Sequence, residues 1–139
     1  MAEVGAGQKV TVARPLSPHL QIYKPLINMT MSILHRITGA ALYFGTLLLA
    51  WWLIAAAMGP GYFKFVNGLL GSPLGLVVLF GYTWALIHHM LGGIRHLIWD
   101  IGRGLDLASV DRLAWLNVIG SVLLTLAFWA LLLKARGMI

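Results

Sequence analysis

The 139-residue chain contains no cysteine. This excludes disulfides, thiolate metal ligands, iron–sulfur ligation and covalent c-type haem attachment within it. Charge is scarce too: Asp and Glu number four and Lys and Arg ten, 10% of residues together, against 60% hydrophobic residues. Such a balance is far from that of a soluble domain, and water is not the main solvent. The N-terminus lacks the apolar core of a cleavable signal, because Met1 to Pro25 holds Glu3, Lys9, Arg14, Lys24 and three prolines. The first hydrophobic segment is therefore expected to remain in the mature chain. The net charge of +6 is spread over segment ends rather than gathered in one patch. That placement suits anionic membrane lipids and argues against nucleic acid as a partner.

What the chain does have is three long stretches free of Asp, Glu, Lys and Arg: Ile37 to Phe63, Phe65 to Ile94 and Leu113 to Leu133. A helix rises about 1.5 Å per residue, so about 20 residues cross the roughly 30 Å hydrocarbon layer, and each stretch suffices. None has the polar stripe of a soluble bundle helix. The expected fold is an all-α membrane protein with three transmembrane helices. Residues 1–28 read as a polar arm at the inner membrane surface, its Arg14-to-His19 segment kept extended by proline. Residues 29–139 read as one domain, with spans at about 30–58, 73–101 and 110–133.

Punctuation sets those limits. Gly59-Pro60-Gly61 stops the first span, and Tyr62, Phe63 and Phe65 in the following loop suit an interface. Ser72-Pro73 is an N-cap followed by proline at the first helical position. Gly102-Arg103-Gly104 breaks the second span, and the third begins near Ser109 or Asp111. Seven basic residues (Lys9, Arg14, Lys24, Arg36, Arg95, Arg103, Arg112) fall on the N-terminal side and three (Lys64, Lys134, Arg136) on the other. By the positive-inside rule the N-terminus is expected inside and the C-terminus outside.

Ionisable groups within a span cost about 2.5–3.5 kcal/mol each on insertion scales, so those present are expected to face protein, cofactor or a cavity. In the first span Ser32, Arg36 and Gly39 share a stripe able to hydrogen-bond a small polar headgroup; the plainer reading has Arg36 snorkelling to lipid and Ser32 bonding its own helix. In the second, His89, Gly93, His96 and Asp100 share a face that Tyr82 continues, while His88 points about 100° away. His89 lies about 10 Å deeper than His96 and must be paired or ligated. Gly92 and Gly93 leave room beside it for a porphyrin plane or a close helix. A lone intramembrane histidine more commonly bonds a neighbouring helix than a metal. The basic groups one to two turns below (Arg36 and Arg95, with His35 and His96) match what haem propionates need, so the set fits a b-type haem ligated by His89. Span three holds no histidine, and a bis-histidine haem would need another chain. Asn117, Ser121 and Thr125 lie on one face of that span and suit interhelical bonding.

Three segments, Arg14 to Tyr23 (RPLSPHLQIY), Ser32 to Gly39 (SILHRITG) and His89 to Asp100 (HMLGGIRHLIWD), resemble the signatures of the succinate dehydrogenase cytochrome b556 subunits, the larger haem-anchoring membrane subunits of that complex. With three spans and this length, the resemblance covers essentially the whole chain. It implies a heterodimeric haem-binding helix bundle with a second small membrane subunit, which supplies the other axial histidine, and docking of an iron–sulfur subunit and a flavoprotein subunit. It implies that His89 is the axial ligand of haem b, that Ser32 and Arg36 bind ubiquinone, and that His35, Arg36, Arg95 and His96 lie near the propionates. It implies no succinate site in this chain. The competing expectations are a haem-free structural anchor and, more weakly, a transporter, for which no inverted repeat is visible. A bacterial cytoplasmic membrane is expected, with the mitochondrial inner membrane as the alternative, since no Arg- and Ser-rich transit segment is evident.

Overall fold

A computed structural model describes residues 24–137. The arm signature from Arg14 to Tyr23 lies outside the described residues. Four helices follow one another: α1 (Ile27–Met58), α2 (Pro60–Leu70), α3 (Pro73–Asp100) and α4 (Leu107–Ala135). Three of them, with 32, 28 and 29 residues, are long and apolar enough to cross a membrane. They form an all-helical bundle with no strand among the described residues.

The bundle is polar inside and apolar outside. Its fully buried hydrophobic residues are mostly small (Met31, Ala55, Val66, Ala85, Ala114), whereas Thr38, His88, Arg95, Asn117, Ser121 and Thr125 are buried with them. Large apolar side chains such as Phe44, Leu74, Leu116 and Leu131 point outward. Lipid solvates those side chains, and close backbone approach and interhelical hydrogen bonds hold the helices together. Gly45 shows the approach: a Cβ there would overlap the Tyr82 ring across the α1–α3 contact. Asn117, Ser121 and Thr125 show the bonding face, four residues apart and all turned into the bundle.

The segment expected to be a loop after the first span is instead the helix α2. Pro60 sits at its first position, so the residue that ends α1 also starts the next helix. Gly59 makes the turn at φ +115°, a region open to glycine. Two indole hydrogen bonds bind α2 to α1: Trp51 Nε1 donates to the Tyr62 hydroxyl at 2.8 Å and Trp52 Nε1 to Asn67 Oδ1 at 2.9 Å. Ser72 caps α3 as its sequence indicates, its hydroxyl accepting from the Gly75 N–H at 3.1 Å.

At the opposite end, Gly102 and Gly104 have φ of +73° and +68° and turn the chain into α4. Helix α4 starts at Leu107, earlier than its sequence suggests, because Asp106 and not Ser109 is the N-cap. Asp106 Oδ1 accepts from the Ser109 N–H at 2.9 Å. Hydrogen bonds from the Ser109 side chain and then its backbone hold the Asp106 carboxyl below its usual range. Asn28 Nδ2 donates to Asp111 Oδ1 at 3.0 Å, so α1 and α4 begin at the same end, where α3 finishes.

Candidate functional site

Within this end of the bundle, α3 presents two neighbouring rows of polar residues. The first row, His88, Gly92 and Arg95, turns inward and is fully buried. His88 is 1% exposed, and its Nδ1 lies 3.2 Å from Ser121 Oγ on α4. That hydroxyl already donates to the Val118 carbonyl at 2.9 Å, so His88 Nδ1 carries the proton. Arg95 is 3% exposed, with its guanidinium carbon 4.9 Å from the centre of the Trp99 ring. Its Nε and Nη1, both amide atoms of Asn117 and Nδ1 of His35 are buried without a hydrogen-bond partner.

The second row holds His89, Gly93 and His96 and lies toward α1. The His89 and His35 rings stack face to face, centroids 3.9 Å apart and planes 4° from parallel. His89 Nδ1 stands 3.1 Å from the His35 carbonyl oxygen and 3.4 Å from Thr38 Oγ1. A carbonyl oxygen can only accept, so Nδ1 is the protonated nitrogen, and in the neutral ring Nε2 holds the lone pair. Thr38 Oγ1 donates to the Leu34 carbonyl at 2.8 Å and is free to accept from the same N–H. Gly39 makes this packing possible, since a Cβ there would stand 3.0 Å from His89 Cε1. Tethering of one imidazole nitrogen by an acceptor while the other keeps its lone pair is the usual arrangement of a metal-binding histidine. Among the described residues no three histidine or acidic side chains are arranged to hold a metal ion. The stacked rings offer one another π faces, so a metal at His89 takes a single ligand from this region.

His96 completes the outer row. It is exposed, tilted against His35 at 5.3 Å and edge-on to Trp99 at 5.2 Å. The structure thus brings His35, His89 and His96 together and turns Arg95 into the bundle on the His88 row. Ser32 is half-buried and Arg36 exposed, and neither makes a hydrogen bond or ion pair with another described residue. The two neighbouring glycines of α3 part company. The space at Gly92 is taken by His35 and Asn117, whereas a Cβ at Gly93 would meet nothing within 4 Å. Sequence spacing gave His88 its direction but not its Ser121 partner, and it gave no sign of Thr38 as a support for His89. The regular spacing of Asn117, Ser121 and Thr125 was the available signal for the first.

The family model for the succinate dehydrogenase/fumarate reductase transmembrane subunit matches residues 11–128, which include every residue of both rows. The chain belongs to this family. Among its relatives, the succinate dehydrogenase cytochrome b556 subunit of Rickettsia felis is 43% identical over 122 residues, covering 88% of this chain and 95% of the relative. That of Paracoccus denitrificans is 43% identical over 124 residues, covering 89% and 92%. The mitochondrial cytochrome b560 subunit of Mus musculus is 41% identical over 116 residues, covering 80% of this chain and 64% of its own length. As a succinate dehydrogenase-type transmembrane subunit, the chain is a membrane protein whose relatives are parts of an oxidoreductase complex.

Proposed function

We propose that this chain anchors a succinate dehydrogenase complex in the membrane, ligates one haem b through His89 Nε2 and forms part of the ubiquinone-reduction site. The observation that carries this reading is the tether on His89 Nδ1, which leaves Nε2 as the ligating atom. The open space at Gly93 and the parallel stacking of His35 on His89, which keeps the two rings from converging on one metal, fit a haem shared with a second small membrane subunit. That subunit would contribute a second histidine to the haem, and an iron–sulfur subunit and a flavoprotein subunit complete the complex. Bound haem would supply a one-electron store.

The residues of this chain bind and orient. His35, stacked on His89, His96, tilted against His35, and the exposed Arg36 are the groups available to carboxylates at the haem edge. Arg95, though buried, is the nearest permanent cation to them on α3. Ser32 and Arg36, one helical turn apart, hold a quinone carbonyl by hydrogen bonds. The guanidinium stabilises the negative charge that develops as two electrons arrive and before two protons are taken up. The surplus of basic residues at this end supports a cytoplasmic N-terminus, an outward C-terminus and a bacterial inner membrane as the setting.

Replacing His89 with leucine in the purified complex is expected to abolish the six-coordinate b-type spectrum; an unchanged spectrum would overturn the ligand assignment. Arg36→Ala is expected to depress succinate:ubiquinone reductase activity while sparing succinate oxidation by a soluble dye. Equal loss of both activities would instead assign Arg36 to assembly. A fully active complex isolated without haem would leave the chain as a structural anchor.

A further inference from the structure

We propose that the buried charge of Arg95 raises the reduction potential of the haem held at His89, acting through the protein interior without touching the iron or its ligand. The inference rests on the haem-ligand reading above and adds a control over how readily that haem takes an electron. Among the described residues every other lysine and arginine is exposed, whereas Arg95 is 3% exposed. No described carboxylate pairs with it. Asp100, Asp106 and Asp111 are all exposed, and Asp111 is engaged by Asn28.

A guanidinium taken out of water is costly unless a counter-charge meets it. What meets Arg95 is the face of Trp99, 4.9 Å from the guanidinium carbon, and a cation–π contact offsets only part of that cost. The indole is itself pinned, its Nε1 donating to the Gly104 carbonyl at 3.0 Å, so the charge is held in one place. Two guanidinium nitrogens, Nε and Nη1, have no acceptor, and the charge stays uncompensated. On this side of α3 the interior is filled by protein: His35 and Asn117 occupy the space over Gly92, and the His35 ring lies against His89. Arg95 is six residues, about 9 Å of helix rise, from His89. Unit charges about 12 Å apart at an effective dielectric constant of about 20 shift one another's equilibria roughly tenfold. The field of the exposed Arg36, by contrast, is screened by water and salt. Reduction adds one electron, delivered by a reduced iron–sulfur centre of the complex, and with it one negative charge; no bond forms or breaks. A fixed positive charge in the same dry interior favours the reduced form.

The test is a potentiometric titration of the haem in the intact purified complex, followed by its visible spectrum. Arg95→Met, which removes the charge but keeps an apolar chain, is expected to make the haem roughly tenfold harder to reduce, a midpoint lower by about 59 mV for one electron. Arg95→Gln, neutral but able to hydrogen-bond, should shift it equally. Raising the salt concentration to about 1 M should leave both shifts intact, because a buried charge is little screened. An unmoved midpoint in Arg95→Met would overturn the proposal, and so would a wild-type midpoint in Arg95→Gln, which would assign the effect to hydrogen bonding, or a shift that salt erases. Asn117→Asp, an isosteric change that sets a carboxylate on the facing side of α4, should also lower the midpoint; it decides the matter if the Arg95 variants fail to assemble, and an unmoved midpoint there would count against the proposal equally. Failure of the underlying reading looks different, since the haem spectrum would then survive His89→Leu.

Discussion

Gly39 and Gly45 stand six residues apart on α1, and each is small for a different neighbour. Gly39 admits the His89 ring and Gly45 admits Tyr82. Gly45→Val is expected to destabilise the chain by about 1–3 kcal/mol through overpacking. Adding Tyr82→Ala should recover most of that loss, which thermal denaturation of the four-member mutant cycle in detergent would measure. Gly81→Ala, where an added Cβ meets nothing, serves as the neutral control. Glycines also show how far residue-level reading reaches. The repeat of the helix gives each position an angle, which correctly separated His88 from His89. It does not say which helix lies opposite, so Gly92 and Gly93 looked alike although His35 fills one space and the other is open. Arg95 was grouped by depth with Arg36; the structure separates them by direction, one buried and the other exposed.

Helix ends were legible where one signal acted alone. Ser72-Pro73 offers a single cap and a single proline, and α3 starts there. Before α4, Asp106, Ser109 and Asp111 all have capping side chains, and only the hydrogen bond to the Ser109 N–H selects the first. The loop before α3 hid a helix because Pro60 has two meanings, terminator of one helix and first residue of the next. The Asp106 cap also predicts a pH response. Its carboxyl is lowered in the folded chain, so its stabilisation is complete above the unfolded carboxylate pKa of about 4 and is lost as pH falls through the lower folded value. Asp106→Ala is therefore expected to lower the denaturation midpoint at pH 7 but to have less effect at pH 3. A difference that stays constant across this interval would show that the charge plays no part.

At the scale of the whole molecule, the three spans were the most legible feature, because apolar length is a property of composition and needs no tertiary information. The assembly was less so, since a single chain shows only half of any shared site. Produced without partner subunits, the chain is expected to lack a six-coordinate haem spectrum and to gain one when the second membrane subunit is coexpressed. Visible spectroscopy of membranes from the two strains would measure this. The inverted interior has a thermodynamic consequence of its own. The large positive heat-capacity change of soluble proteins comes from exposing apolar groups to water, and separating these helices within lipid would expose mainly buried Thr, Ser, Asn, His and Arg groups to one another's absence. The free energy of helix association should therefore vary almost linearly with temperature, without the curved maximum and cold-side weakening that water imposes on ordinary cores.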